Sequence, residues 1–158
     1  GEVMGVSSRH EVSFLKSQFA AKNELARSGK VFLSLSEFDK PRAVELGRKF
    51  IEAGFELMAT YGTFVVLRNG GIEAELVFKI SEGRPNIEDR LKNGDVALVV
   101  NTSDSKSNGD DAYKIRQAVI RMKIPYFTNM NLALIAASSL LFFDEASEVK
   151  SLQEWLKG

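Results

Sequence analysis

Residues able to grip an anion lie along this chain in short polar stretches. The sharpest is Ala59-Thr60-Tyr61-Gly62-Thr63. Gly62 lets the backbone turn close to a ligand, and the Thr60 and Thr63 hydroxyls can donate to an oxyanion. A helix beginning there would add unpaired N–H groups with partial positive charge. That combination suits a phosphate; the same turn equally suits a threonine that caps a helix with nothing bound. Lys40, Lys79, Arg84 and Lys106 supply cations, and Asn101-Thr102-Ser103 supplies neutral hydrogen-bonding groups. Acid–base chemistry has weaker material. Asp39, Glu82, Asp104 and Asp110 are carboxylates without a defined partner, and the one histidine, His10, lies far from them in sequence. The absence of cysteine removes a thiolate metal site, a disulfide framework and a cysteine nucleophile. One histidine is too few for a His-rich zinc site or for a catalytic triad not built on His10.

Groups so dispersed act together only if the fold gathers them. Strand-length apolar runs alternate with helical patterns from about residue 30 to residue 143, which predicts successive βα units. The strand candidates are Val31 to Ser36, Glu56 to Thr60, Ala74 to Lys79, Val96 to Asn101 and Pro125 to Thr128. Val96 to Val100 is apolar at every position, as a parallel strand covered on both faces requires. Helical spacing places helices at Lys40 to Ala53, Thr63 to Asn69, Asn86 to Lys92, Asp110 to Lys123 and Asn129 to Phe143. Asp39 is the candidate N-cap of the first and Gly54 its stop. Ahead of these, His10 to Ala26 reads as an amphipathic helix; behind them, Val149 to Leu156 reads as a further strand or short helix. The expected architecture is a three-layer α/β/α sandwich around a mainly parallel five-stranded sheet.

In such a sheet, ligands bind outside the carboxyl ends of the strands. That rim collects Ser34 and Ser36, Thr60 to Thr63, Lys79, Ser81 to Asn86, Asn101 to Lys106 and Thr128 to Asn131. Four cations on one rim favour a phosphorylated small molecule.

Whole-chain quantities bound the reading. The chain has 158 residues, 44% of them hydrophobic and 27% charged, with 21 basic side chains against 21 acidic ones. The length suits one domain, with residues 1–27 as linker and packing helix and 28–158 as the folded unit. Zero net charge argues against a broad nucleic-acid surface. No apolar run reaches the roughly 18 residues of a membrane span, so a cytoplasmic protein without a membrane partner is expected. The opening Gly-Glu-Val-Met-Gly has neither an initiator Met nor a leader pattern, and reads as the start of a piece of something larger.

The residues resemble the methylglyoxal-synthase-like family and, within it, the C-terminal regulatory domain of carbamoyl phosphate synthase large subunits. The likeness rests on Gly1 to Gly5, Asp39-Lys40, Gly54-Phe55-Glu56-Leu57, Ala59 to Thr63, Lys79 with Glu82-Gly83-Arg84-Pro85-Asn86-Ile87, Lys92-Asn93-Gly94, Val100-Asn101-Thr102 and Ile115-Arg116. It implies regulation rather than turnover. The family's domain receives nucleotide effectors, UMP as inhibitor and IMP as activator, while the ATP-dependent, metal-assisted ligase chemistry belongs to other domains. No cofactor is expected in this one. Its partners would be the remainder of the large subunit and, through it, the glutaminase small subunit. By resemblance, Lys40, Thr60, Thr63 and Lys79 are the phosphate clamp. Asn101, Thr102, Ser103 and Lys106 would face the rest of the nucleotide, and Tyr126 and Thr128 would contact ornithine. Tyr61 stands where a His is common, Ser103-Asp104 replaces Thr-Ser, and Lys106-Ser107 replaces an Arg pair, so a purine nucleotide is less well served than UMP. The other reading is a free-standing lyase that makes methylglyoxal from dihydroxyacetone phosphate. Against it, Arg84 stands where the family's enzyme has a catalytic aspartate, and a guanidinium cannot serve as the base.

Overall fold

The computed structural model describes residues 29–102 and 109–141. The elements run β1 (Gly29–Ser34), α1 (Ala43–Glu52), β2 (Phe55–Ala59), α2 (Tyr61–Asn69), β3 (Glu75–Leu76), α3 (Ile87–Lys92), β4 (Leu98–Asn101), α4 (Gly109–Met122), β5 (Tyr126–Phe127) and α5 (130–141). All four strand pairings are parallel and the sheet order is β3-β2-β1-β4-β5. The expected helices His10 to Ala26 and the tail Val149 to Leu156 lie outside the described residues.

Apolar side chains of alternate strand positions point to opposite faces and nucleate two cores. Val31, Leu33, Leu57, Leu98 and Val100 meet Leu46 and Phe50 of α1, Leu67 of α2 and Ala133, Ala137 and Leu140 of α5. Phe32, Met58 and Val99 face the other way, onto Ile87 and Leu91 of α3 and Ile115, Ala118 and Val119 of α4. Helices on both faces make the three layers. They also explain why β4 is apolar throughout: Leu98, Val99 and Val100 are all buried.

Several boundaries differ from expectation for identifiable reasons. The first helix does not begin at Lys40. Pro41 sits in a 3₁₀ turn, Lys40–Arg42, from which α1 continues, and Asp39 makes no capping bond. Its carboxylate instead accepts the Ser36 hydroxyl at 2.9 Å. Gly54 does end α1, with φ of 96°. The third strand shrinks from six expected residues to the pair Glu75–Leu76, because it is an edge strand bonded only to β2. The chain stays extended beyond it: Val77 is buried and its N–H reaches the Ala59 carbonyl at 2.9 Å, while Leu76 and Phe78 stay exposed. Two apolar helix residues, Ile51 of α1 and Met122 of α4, are exposed.

Candidate functional site

The strand order reverses at β1, which has β2 on one side and β4 on the other. The crevice outside the carboxyl ends opens there. Register aligns the exits: Leu33 pairs with Ala59 and Ser34 with Asn101, so Thr60, Ser34 and Asn101 follow one another across the sheet. The Thr60 hydroxyl donates to the Ser34 hydroxyl at 3.2 Å, and Asn101 Nδ2 donates to the Tyr126 hydroxyl at 3.3 Å. Ser34, Thr60 and Asn101 are all buried, which is unusual for polar side chains not serving a network or a ligand.

A small cleft, open to solvent, lies over this row. Its polar lining is Ser34, Thr60, Lys79, Asn101 and Asp111. Phe32, Ile87, Ala112 and Ile115 form its apolar floor. Lys79 makes no ion pair among the described residues.

Two hydroxyls shape the adjoining loop. Thr63 Oγ1 accepts the Leu35 N–H at 3.0 Å, and Thr102 Oγ1 accepts the Ser36 N–H at 3.1 Å. Each uses its acceptor capacity in these bonds, and neither lines the cleft; Thr63 is buried. Thr60 stands at the N-terminus of α2 in extended backbone and makes no side-chain cap. The first-turn N–H groups of α2 therefore lack that capping partner, as an anion-accepting helix start requires.

Lys40 reaches the same place from the 3₁₀ turn. A Cβ on Gly62 would lie 2.6 Å from Lys40 Nζ, so the glycine makes room for the ammonium over the helix start. Lys40 is ion-paired to Glu37 across one turn.

The four cations of the rim thus have different fates. Lys79 lines the cleft and Lys40 lies over Gly62. Arg84 is turned away: its guanidinium pairs with Asp89 of α3, which raises the arginine pKa and lowers that of the aspartate. Lys106 and Ser103 lie outside the described residues. Tyr126 adjoins the cleft through Asn101, and Thr128 is exposed just beyond β5.

Asp111 is the lining residue that sequence reasoning passed over in favour of Asp110. A signal was present. On a helix, residues 111 and 112 share a face with Ile115, so Asp111 is an acid on the packing stripe. Ser34 was placed on the rim but not singled out.

No helix among the described residues is long and apolar enough to cross a membrane. None of their His, Asp and Glu side chains forms a group of three able to hold a metal ion.

The family model for the MGS-like domain matches residues 42–128, more than half of the chain. The chain belongs to the MGS-like domain family. The match begins at the 3₁₀ turn and ends at Thr128, so it takes in every strand exit except that of β1. This MGS-like domain is also similar to carbamoyl phosphate synthase large chains. That of Campylobacter jejuni is 52% identical over 159 residues, covering 99% of this chain and 15% of the relative. That of Myxococcus xanthus is 42% identical, covering 99% and 14%. A C-terminal section of the large chain from Aquifex aeolicus is 37% identical, covering 100% of this chain and 28% of the relative. The MGS-like domain therefore spans about a seventh of the length of the first two relatives.

Proposed function

We propose that this MGS-like domain is the allosteric regulatory domain of a carbamoyl phosphate synthase large chain and binds a nucleoside monophosphate at the strand carboxyl ends. The observation that supports it is the cleft at the sheet's switch point, where buried Ser34, Thr60 and Asn101 converge with Lys79, which makes no ion pair among the described residues. Lys40, Thr60, Thr63 and Lys79 hold the phosphate. Asn101, Thr102, Ser103 and Lys106 face the nucleoside, with UMP the inhibitor and IMP the activator. Tyr126 and Thr128 contact ornithine where the domain meets the adjoining part of the large chain, and residues 1–27 form the linker to it. The domain performs no chemistry itself; the ATP-dependent ligase reaction and its metal ions belong to the rest of the large chain, working with a glutaminase subunit in the cytoplasm.

Regulation requires the effector to bind two states of the whole enzyme unequally. The first test is therefore binding, by calorimetric titration of this chain with UMP and IMP. Saturable binding at or below millimolar concentration is expected, tighter for UMP. A folded chain, by circular dichroism, that binds neither nucleotide removes the reading.

A further inference from the structure

The turn that carries Lys40 is locked from within. The Ser36 carbonyl accepts the N–H groups of Asp39 and Lys40, each at 3.0 Å, and the Ser36 hydroxyl donates to Asp39 Oδ2 while accepting the Asp39 N–H at 3.2 Å. Asp39 is thereby engaged inside the turn, and Glu37 is the carboxylate that pairs with Lys40. Exposure of the two partners is unequal. The Lys40 side chain is 19% exposed and that of Glu37 is 88% exposed, so the glutamate can swing into solvent without unpacking anything, whereas the lysine stays in place.

The position of Lys40 explains why it needs a counter-charge. A Cβ on Gly62 would fall 2.6 Å from Nζ, so the ammonium stands against the first turn of α2, the positive end of that helix. A cation there is unfavourable until an anion joins it. Glu37 supplies that anion, and a ligand phosphate drawn to the same ammonium must take its place.

We propose that Glu37 is an autoinhibitory counter-ion, which occupies the Lys40 ammonium until a phosphate displaces it and so raises the concentration that every anion using Lys40 must reach. This rests on the nucleotide reading above, which puts the phosphate at Lys40, and adds a regulatory contact to that site. An exposed ion pair is weak and screened by salt, so the effect is a two- to fivefold shift, on that order, at low ionic strength.

The test is calorimetric titration of the full chain with UMP and with inorganic phosphate, with circular dichroism melting to check each variant's fold. Glu37→Gln should tighten both ligands by about two- to fivefold, and the gain should shrink at high salt. In a Lys40→Gln background, Glu37→Gln should change neither affinity, because the pair it breaks is already gone. Glu45→Gln removes an equal charge from an acid paired with Arg42 instead, and should leave both affinities within about twofold. An equal gain from Glu45→Gln, or a gain from Glu37→Gln that persists without Lys40, would make the effect a general field and overturn the proposal. UMP binding that Glu37→Gln leaves unchanged or weakens would overturn it while the nucleotide reading stands; absence of UMP binding to the unsubstituted chain and to Glu37→Gln alike would overturn both.

Discussion

Gly62 and Lys40 occupy one another's space, and that makes the glycine a handle on the lysine. A Gly62→Ala methyl would fall within 2.6 Å of Nζ, the far end of a flexible side chain, so the ammonium would move aside while the fold absorbed the change. Ala is also the better helix former, by up to about 1 kcal/mol at an interior position and less in a first turn. The variant should keep or slightly raise its melting temperature and lose about tenfold in affinity for phosphate-bearing ligands by calorimetry. Unchanged affinity would place Lys40 off the ligand. Lys79→Ala should separate the same two quantities differently. Phosphate monoesters weaken by tenfold or more, whereas the corresponding nucleosides change by less than about twofold; equal losses for both would put Lys79 away from the phosphate. Glu37 sets the background for these measurements, because a phosphate arriving at Lys40 competes with a carboxylate already paired there.

At the scale of elements, β1 and α2 are tied by one hydroxyl. Thr63 is buried in the first turn of α2 and its oxygen satisfies the N–H of buried Leu35, just past the end of β1. Thr63→Val keeps the shape and strands that N–H, which costs about 1–3 kcal/mol. Urea denaturation should show a lower midpoint with an unchanged slope; an unchanged midpoint would mean Leu35 finds another acceptor. This tie also shows where sequence reading stops. Period-2 and 3.6-residue patterns located all five strands and the helices of the described region, since each buries an apolar face that its own residues declare. They could not display Thr63 reaching across 28 positions to Leu35, because that depends on register between distant segments. Expected strand Ala74 to Lys79 failed at its edge for the same reason: the residues are strand-like, and what they lack is a neighbour on the outer side. Lys79 and Thr60 were legible as cleft-lining residues because both fall at element ends, whereas Asp111 was hidden by sitting inside a helix.

Across the whole molecule, two carboxylates among the described residues are held below their ordinary pKa, Asp89 by Arg84 and Glu75 by a wider ion network. Glu75 of β3 takes hydrogen bonds from Arg90 of α3 and Lys30 of β1, and Arg90 also bonds Asp95. The Arg90 hydrogen bond is the largest cause holding the Glu75 pKa below its ordinary 4.5. A carboxylate depressed on folding adds stability above its unfolded pKa, and that increment is lost as pH falls through the folded value. Denaturation midpoints should therefore drop below about pH 4.5, and Glu75→Gln should flatten the curve there; a parallel curve would discharge Glu75 from the effect. Because Glu75 is half exposed, screening keeps its share small. The centre of the sheet responds to other forces. Val31, Phe32 and Leu33 are fully buried in a strand bonded on both sides, so their amides exchange with solvent only when the sheet opens. The next two amides, Leu35 and Ser36, hang on the hydroxyls of Thr63 and Thr102, which can rotate away without breaking any ladder. Hydrogen exchange should find those two amides faster than their buried neighbours, with the gap narrowing when the cleft is filled. The segment leading to Lys40 is thus fastened to a rigid sheet by two releasable pins.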